Sequence, residues 1–315
     1  MIASSARRRT VPAAAAVLAA TSLVLSGCSS SSPSTDEGGC FSTSRTDDAR
    51  SIELPPAQVT VTNPGTGDLR VPASRPRTDA PQKVTLTTES TENSVASGND
   101  GVQATAETLT TPLTVRAGCS DPRRAQFTFG TPTSPDDALS PSLRVMNGAA
   151  ASLSFADGLA PMSLKIATPD SASPAASRAV EQSLVSAFSY DVPLPTTAVG
   201  PGATWTSVRT LAAATTVTQT MTVTLRSWEG TRLVLDVRVD EAPVDSVFRI
   251  PGSTDTLDMT KFSNSGTGTM TVDLADLLPV DGELKLAGAR ELVGDDQSKP
   301  ILQQTALTVT WKPTA

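Results

Sequence analysis

Leu25-Ser26-Gly27-Cys28 is the stretch whose residue types and spacing specify the most definite chemistry in the chain. A thiol can take a diacylglyceryl group as a thioether. Two small residues before it let the backbone lie flat in a peptidase cleft, and an apolar Leu25 fills a pocket further back. Read this way, the segment is a lipobox: residues 1–27 are removed and Cys28 becomes an acylated first residue. Arg7, Arg8 and Arg9 followed by the apolar run Val11 to Leu25 fit an export signal, and the run is shorter than the roughly 20 residues of a spanning helix. The arginines leave the export route, Sec or twin-arginine, open. Several acyl chains on one cysteine anchor stably, so the expected location is the extracytoplasmic face of the cell membrane, with the membrane itself as a partner.

The remaining chemistry is sparse. The chain has no histidine, which excludes Ser-His-Asp and Cys-His catalysis and any histidine-bearing metal site. The S-x-x-K alternative fails at every lysine, because the residue three before is Ala80, Met162, Asp258, Gly282, Asp296 or Val309. Acid pairs occur at Asp47/Asp48, Asp136/Asp137 and Asp295/Asp296, where adjacent carboxylates in loops are ordinarily solvated. No enzyme, metal or cofactor is expected. With Cys28 consumed by lipid, Cys40 and Cys119 form an even pair in an oxidising compartment. One disulfide between them is expected, contributing on the order of 4 kcal/mol by closing a long loop.

Removing residues 1–27 of 315 leaves 288 residues, and it takes three arginines from 25 basic side chains while leaving all 32 acids, for a net charge of −10. Such a surface repels nucleic acid, so none is expected as a partner. Aromatic residues make up 3% of the chain, so a core must be built from Val, Leu, Ala and Thr methyls.

These features need elements to position them. Ser29 to Gly39 reads as a flexible spacer of roughly 20 Å reach, with disordered character continuing to about Arg50. From residue 51 to 315 the texture is that of one β-rich domain: Thr/Val/Leu alternation broken by Gly, Pro, Asn and Asp. Strands are expected at 82–89 and 102–107 around a turn at 97–101, at 125–129, and at 150–155 with 162–167 across Ala156-Asp157-Gly158. A second series follows at 215–225 with 232–239, 268–274 with 283–286, and 302–311. A weak likeness between 82–168 and 204–312 suggests a pseudo-repeat.

One helix interrupts the strands, at about 173–189. Ser173 is its N-cap and Pro174 its first residue, and Ala176, Val180, Leu184 and Phe188 recur every four positions. Arg178 and Glu181 are expected to face water. The fold class is therefore mainly β: a curved antiparallel sheet or half-barrel of two hairpin-rich halves, with one central amphipathic helix across its open face.

The helix, Pro195-x-x-x-Val199-Gly200-x-Gly202-x-x-Trp205 and the strand Gly266 to Leu274 together resemble a family of uncharacterised secreted bacterial lipoproteins of high-GC Gram-positive bacteria. The similarity runs from Leu143 to Lys312 and implies a β-rich extracytoplasmic domain. In outline the architecture is also similar to the half-barrel lipid carriers of bacterial envelopes, which have more helix than this chain. That analogy implies an apolar ligand between sheet and helix, with Val180, Leu184 and Phe188 as pocket residues. The competing reading is a non-catalytic envelope module that binds a protein or wall polymer. A packed interior favours the second and an open apolar mouth the first.

Overall fold

The computed structural model describes residues 39–96, 101–250 and 252–314. The lipobox residues Leu25, Ser26, Gly27 and Cys28, and most of the expected turn at 97–101, lie outside them. In chain order the elements are β1 (Cys40–Phe41), β2 (Ser51–Glu53), β3 (Gln58–Asn63), β4 (Gln82–Ala96), β5 (Val102–Gly118), β6 (Arg124–Phe129) and a single-turn α1 (Ser140–Leu143). They continue as β7 (Ala150–Ala156), β8 (Ala160–Ala167), α2 (Pro174–Ser189), β9 (Thr204–Ala212), β10 (Thr216–Glu229), β11 (Arg232–Pro243), β12 (Val247–Arg249), β13 (Thr256–Asp273), β14 (Asp281–Val293) and β15 (Ile301–Pro313).

The protein is mainly β. All fifteen strands belong to one open sheet, antiparallel except where the two-residue β1 runs beside β5. The sheet path is β2-β8-β7-β6-β5-β4-β15-β14-β13-β11-β10-β9-β3. Strands β4 to β8 step outward to one edge, β9 to β15 step inward from the other, and the two series meet where β15 pairs with β4. The two outermost strands, β2 and β3, are consecutive in the chain with only Leu54-Pro55-Pro56-Ala57 between them. Five Cα steps span at most about 18 Å, so the sheet must curl until its edges approach each other. The half-barrel expectation thus takes the form of a strongly curled sheet whose seam is crossed by a diproline link.

Alternation decides which face turns inward. On β10, Val217, Met221, Val223 and Leu225 are buried, and on β11 Leu233, Leu235, Val237 and Val239 are buried. The register sets Met221 opposite Val239, Val223 opposite Val237 and Leu225 opposite Leu235, so apolar side chains meet in cross-strand pairs. Threonines occupy the alternate positions, where a β-branched side chain favours extended backbone without needing a dry environment. Gly266 and Gly268 take two inward positions of β13. A Cβ there would come within 2.2 and 2.1 Å of the Lys285 and Glu283 carbonyl oxygens, so glycine permits the strands to coil this closely.

Helix α2 joins β8, near one sheet edge, to β9 at the other, and so must cross the inner face. Ser173 Oγ accepts the Ala176 N–H at 3.2 Å and Pro174 opens the first turn, as the sequence predicts. Ala176, Ala179, Val180, Ser183, Leu184, Ala187 and Phe188 are buried, while Arg178 and Glu181 face solvent. The Phe188 ring stacks on Phe127 at 5.7 Å between centroids and lies 6.2 Å from Trp311. Trp205, fully buried at the start of β9, donates its indole N–H to the Pro193 carbonyl at 3.0 Å. Phe127, Phe188 and Trp311 are thus spent under the helix, where one large side chain fills what several methyls would leave open.

Residues 39–50, expected to be disordered, are built into the fold. Cys40 and Cys119 form the expected disulfide, with Cα atoms 5.1 Å apart. It holds β1 against β5, where Phe41 is buried. Thr46 is buried with its hydroxyl 2.6 Å from Ser152 Oγ, and the Arg45 N–H donates to Gln126 Oε1 at 2.8 Å. Composition alone reads this segment as polar spacer; side-chain hydroxyls paired with sheet residues decide otherwise.

Candidate functional site

Val180, Leu184 and Phe188, read from the sequence as pocket residues, are 0%, 1% and 1% exposed and belong to the continuous apolar core. They are packing residues of the sheet–helix interface. The cavities beside the helix are lined by other side chains.

Past the C-terminal end and exposed flank of α2 the inner face of the sheet changes character. The inward register positions there carry Glu241 on β11, Asn264 on β13, Arg290 on β14, Gln303 and Thr305 on β15, and Glu92 and Ser94 on β4. Two cavities open onto this polar region and share Thr305. One, of about 310 Å³, is bounded by Tyr190, Thr215, Val217, Glu241, Phe262 and Arg290. The other, of about 470 Å³, lies between α2 residues Ser183 and Ser186 and strand residues including Ser90, Glu92 and Glu107.

The polar groups are held by one another. Glu241 accepts from Tyr190 Oη at 2.8 Å, Gln219 Nε2 at 3.2 Å and Asn264 Nδ2 at 2.8 Å. Burial and the Glu241 charge both raise the Tyr190 pKa, so its phenol stays a neutral donor. Arg290 Nε donates to Gln303 Oε1 at 2.7 Å, its guanidinium lies 4.4 Å from the Phe248 ring centroid, and it pairs with Glu92 at 3.5 Å. Burial lowers the Arg290 pKa against the opposing pull of Glu92. Beneath this layer Arg209 is buried and donates Nη2 to the Asp191 carbonyl at 2.8 Å. Burial pushes the Asp191 carboxyl up to about 6, opposed by the Arg209 charge and the Val192 N–H.

Among the described residues, the buried side-chain atoms without a hydrogen-bond partner are Ser207 Oγ, Arg209 Nε, Thr215 Oγ1 and Gln219 Oε1. All four lie on β9, β10 or their connection, and Thr215 lines the 310 Å³ cavity. Arg209 and Gln219 face each other across the β9–β10 ladder. The Thr215 hydroxyl, unsatisfied at the edge of that cavity, is a group that a polar ligand or bound water can complete. Glu92 and Glu241 act here as fixed hydrogen-bond acceptors, and no three acidic or cysteine side chains among the described residues gather to hold a metal ion.

A second cleft, of about 300 Å³, opens at the other end of the strands. A strap, residues 64–81, crosses this end, tied by Arg70–Val199 backbone bonds of 3.0 Å in both directions and by the Arg75 and Arg77 N–H groups donating to the Leu274 and Ala275 carbonyls. Val71, Pro72 and Pro76 of the strap face Pro122, Leu159 and Pro195 across the cleft. Leu159 has φ +56°, unusual for a side-chain-bearing residue. The neighbouring turn is over-determined: Leu194 N–H donates to the Gly158 carbonyl at 2.7 Å, and a Cβ on Gly158 would lie 2.1 Å from the Leu194 oxygen.

Of these residues, sequence reasoning singled out none of Tyr190, Arg209, Glu241, Asn264 or Arg290. A signal existed for some. Tyr190 is the only tyrosine in the chain. Arg209 and Gln219 occupy inward positions in strands whose other inward residues, Ser207 apart, are the apolar Trp205, Leu211, Val217, Met221, Val223 and Leu225, and a charged or amide side chain there needs a partner. No protein-family model matches the chain, and no curated protein is similar to it.

Proposed function

We propose that this protein is a non-catalytic binding module, tethered to the outer face of a membrane through lipid on Cys28, that takes a hydroxyl-rich segment of an envelope polymer in the polar trough beside α2. The observation that carries this reading is the contrast between the two regions of the inner face. Under the helix the interior is packed with Val180, Leu184, Phe188, Phe127 and Trp311. Beside it, amides, carboxylates, a guanidinium and hydroxyls converge on open space. Asn, Glu and Arg side chains make paired hydrogen bonds to neighbouring hydroxyls, and Phe262, Leu211 and Val217 supply an apolar wall for a sugar ring face. The disulfide fits an oxidising, extracytoplasmic setting.

The test has two parts. Cys28→Ala should abolish acyl labelling and leave an unprocessed precursor. Wall-polymer fragments titrated into the mature protein should bind, and Glu241→Ala or Arg290→Ala should weaken binding by about tenfold or more, as loss of a charged hydrogen bond does. A lipid co-purifying at near-equal stoichiometry, with no response to glycan, would overturn the reading. The alternative, carriage of an apolar ligand, is favoured by the proline-walled cleft at the strap end, and native mass spectrometry of the purified protein, which shows whether a lipid is retained, decides it.

A further inference from the structure

We infer that the strap end of the sheet is a membrane-contacting face, with Leu69 and Val71 entering the interface of a phospholipid bilayer and Trp228 seated behind them. The inference rests on the tether reading for where the bilayer lies, and on the following geometry for how the domain meets it.

The chain enters the fold at this end. β1 pairs with Ala117 and Gly118 at the last residues of β5, and the disulfide fixes it there. The β10–β11 turn, which carries Trp228, belongs to the same rim. The ladders run from Arg232↔Asp273 through Thr271↔Asp281, Gly282↔Trp311 and Leu86↔Trp311 to Gln82↔Val115. Twelve residue steps separate Cys28 from Cys40, so chain connectivity alone keeps this rim within about 43 Å of an acylated Cys28. That length lets the strap end reach the bilayer to which Cys28 would be fastened.

That end carries the side chains a bilayer interface accepts. Leu69 and Val71 are 43% and 47% exposed, large apolar residues two positions apart on the strap. Between them, Arg70 lays its guanidinium 4.2 Å from the centroid of the half-buried Trp228 ring. A tryptophan body under a cation, beside exposed aliphatic side chains, is the composition that settles at the headgroup level. The strap has three arginines against two aspartates, but Arg77 is ion-paired with Asp276, and Asp273, Asp281 and Glu229 stand on the same rim, so the contact rests on the apolar pair and Trp228 rather than on net charge. The exposed pair is also held in place: Arg70 is bonded on both sides to Val199, and Pro72 follows directly. Little ordering remains to be done on contact.

The protein provides its own optical probe. It contains three tryptophans, and Trp205 and Trp311 are 0% and 1% exposed, so a change in emission on adding lipid reports on Trp228. The experiment uses the full mature chain carrying Cys28→Ser, which has no acyl anchor, with phosphatidylcholine–phosphatidylglycerol vesicles. The expected result is a blue shift and co-sedimentation. Leu69→Ser with Val71→Ser should lower the partition coefficient at least about tenfold, while Val71→Leu should raise it about fourfold, the worth of one buried methylene. Val244→Ser, at a 58% exposed residue at the opposite end of the strands, should change nothing. Thermal melts of each variant identify any that fail to fold, and Val71→Leu keeps the proposal open to refutation if the serine pair does not. No blue shift with the parent chain, or equal losses from the Val244 and Leu69/Val71 changes, would overturn it. Acyl labelling of the wild-type chain is read separately, so failure of the tether and failure of the contact face are distinguishable.

Discussion

Asp191 offers the sharpest test of the polar layer beneath the trough. It follows Tyr190, the C-cap of α2; its N–H reaches the Phe188 carbonyl, and its carbonyl accepts from the buried Arg209. Burial raises the carboxyl pKa from 3.8 to about 6, outweighing the favourable Arg209 charge and Val192 N–H. The folded state therefore binds more protons than the unfolded chain between about pH 4 and pH 6. Stability contributed by neutral Asp191 is present below that window and is lost as pH rises through it. A shift of about two units corresponds to about 3 kcal/mol. Asp191→Asn mimics the protonated form at every pH. Its effect on Arg209, which stays charged throughout, adds a constant offset but no slope. Urea unfolding of both proteins from pH 3.5 to 8 isolates the residue: the wild type should lose about 3 kcal/mol relative to the variant across the window. A difference that stays within about 1 kcal/mol, or that rises with pH, would show that the carboxylate is solvated or fully compensated and that the burial argument is wrong.

The helix interface makes an independent prediction. Leu184→Ala should destabilise by about 2–5 kcal/mol and Glu181→Ala by less than about 0.5 kcal/mol, measured by chemical denaturation; small and equal effects would place α2 outside the core. The Cys40–Cys119 bridge has a sequence separation of 79, for which loop-closure entropy gives about 4.5 kcal/mol. Replacing both cysteines by serine should lower stability by a comparable amount. The oxidised and reduced wild-type proteins should differ by the mass of two hydrogens, and two free thiols in exported protein would contradict the structure.

Local patterns determined much of this protein directly. Period-two runs such as Gln82 to Glu89 and Thr216 to Leu225 announce strands because alternation places every apolar side chain on one face. Ser173-Pro174 with Val180, Leu184 and Phe188 announces a helix because cap, first residue and stripe agree. The cysteine pairing followed from arithmetic once Cys28 was assigned to lipid. What the sequence left open depends on contacts between residues far apart in the chain. Composition made residues 39–50 look like spacer, yet Thr46 meets Ser152 and Arg45 meets Gln126 more than eighty positions away. Glu92, Glu241, Asn264 and Arg290 are ordinary polar residues in strands until β15 is laid between β14 and β4 and brings them to one inner surface. The apolar stripe of α2 could equally have lined a cavity or filled a core. Phe127, Trp311 and Phe188, drawn together from β6, β15 and the helix, pack ring on ring there, a contact between residues that lie far apart in the chain.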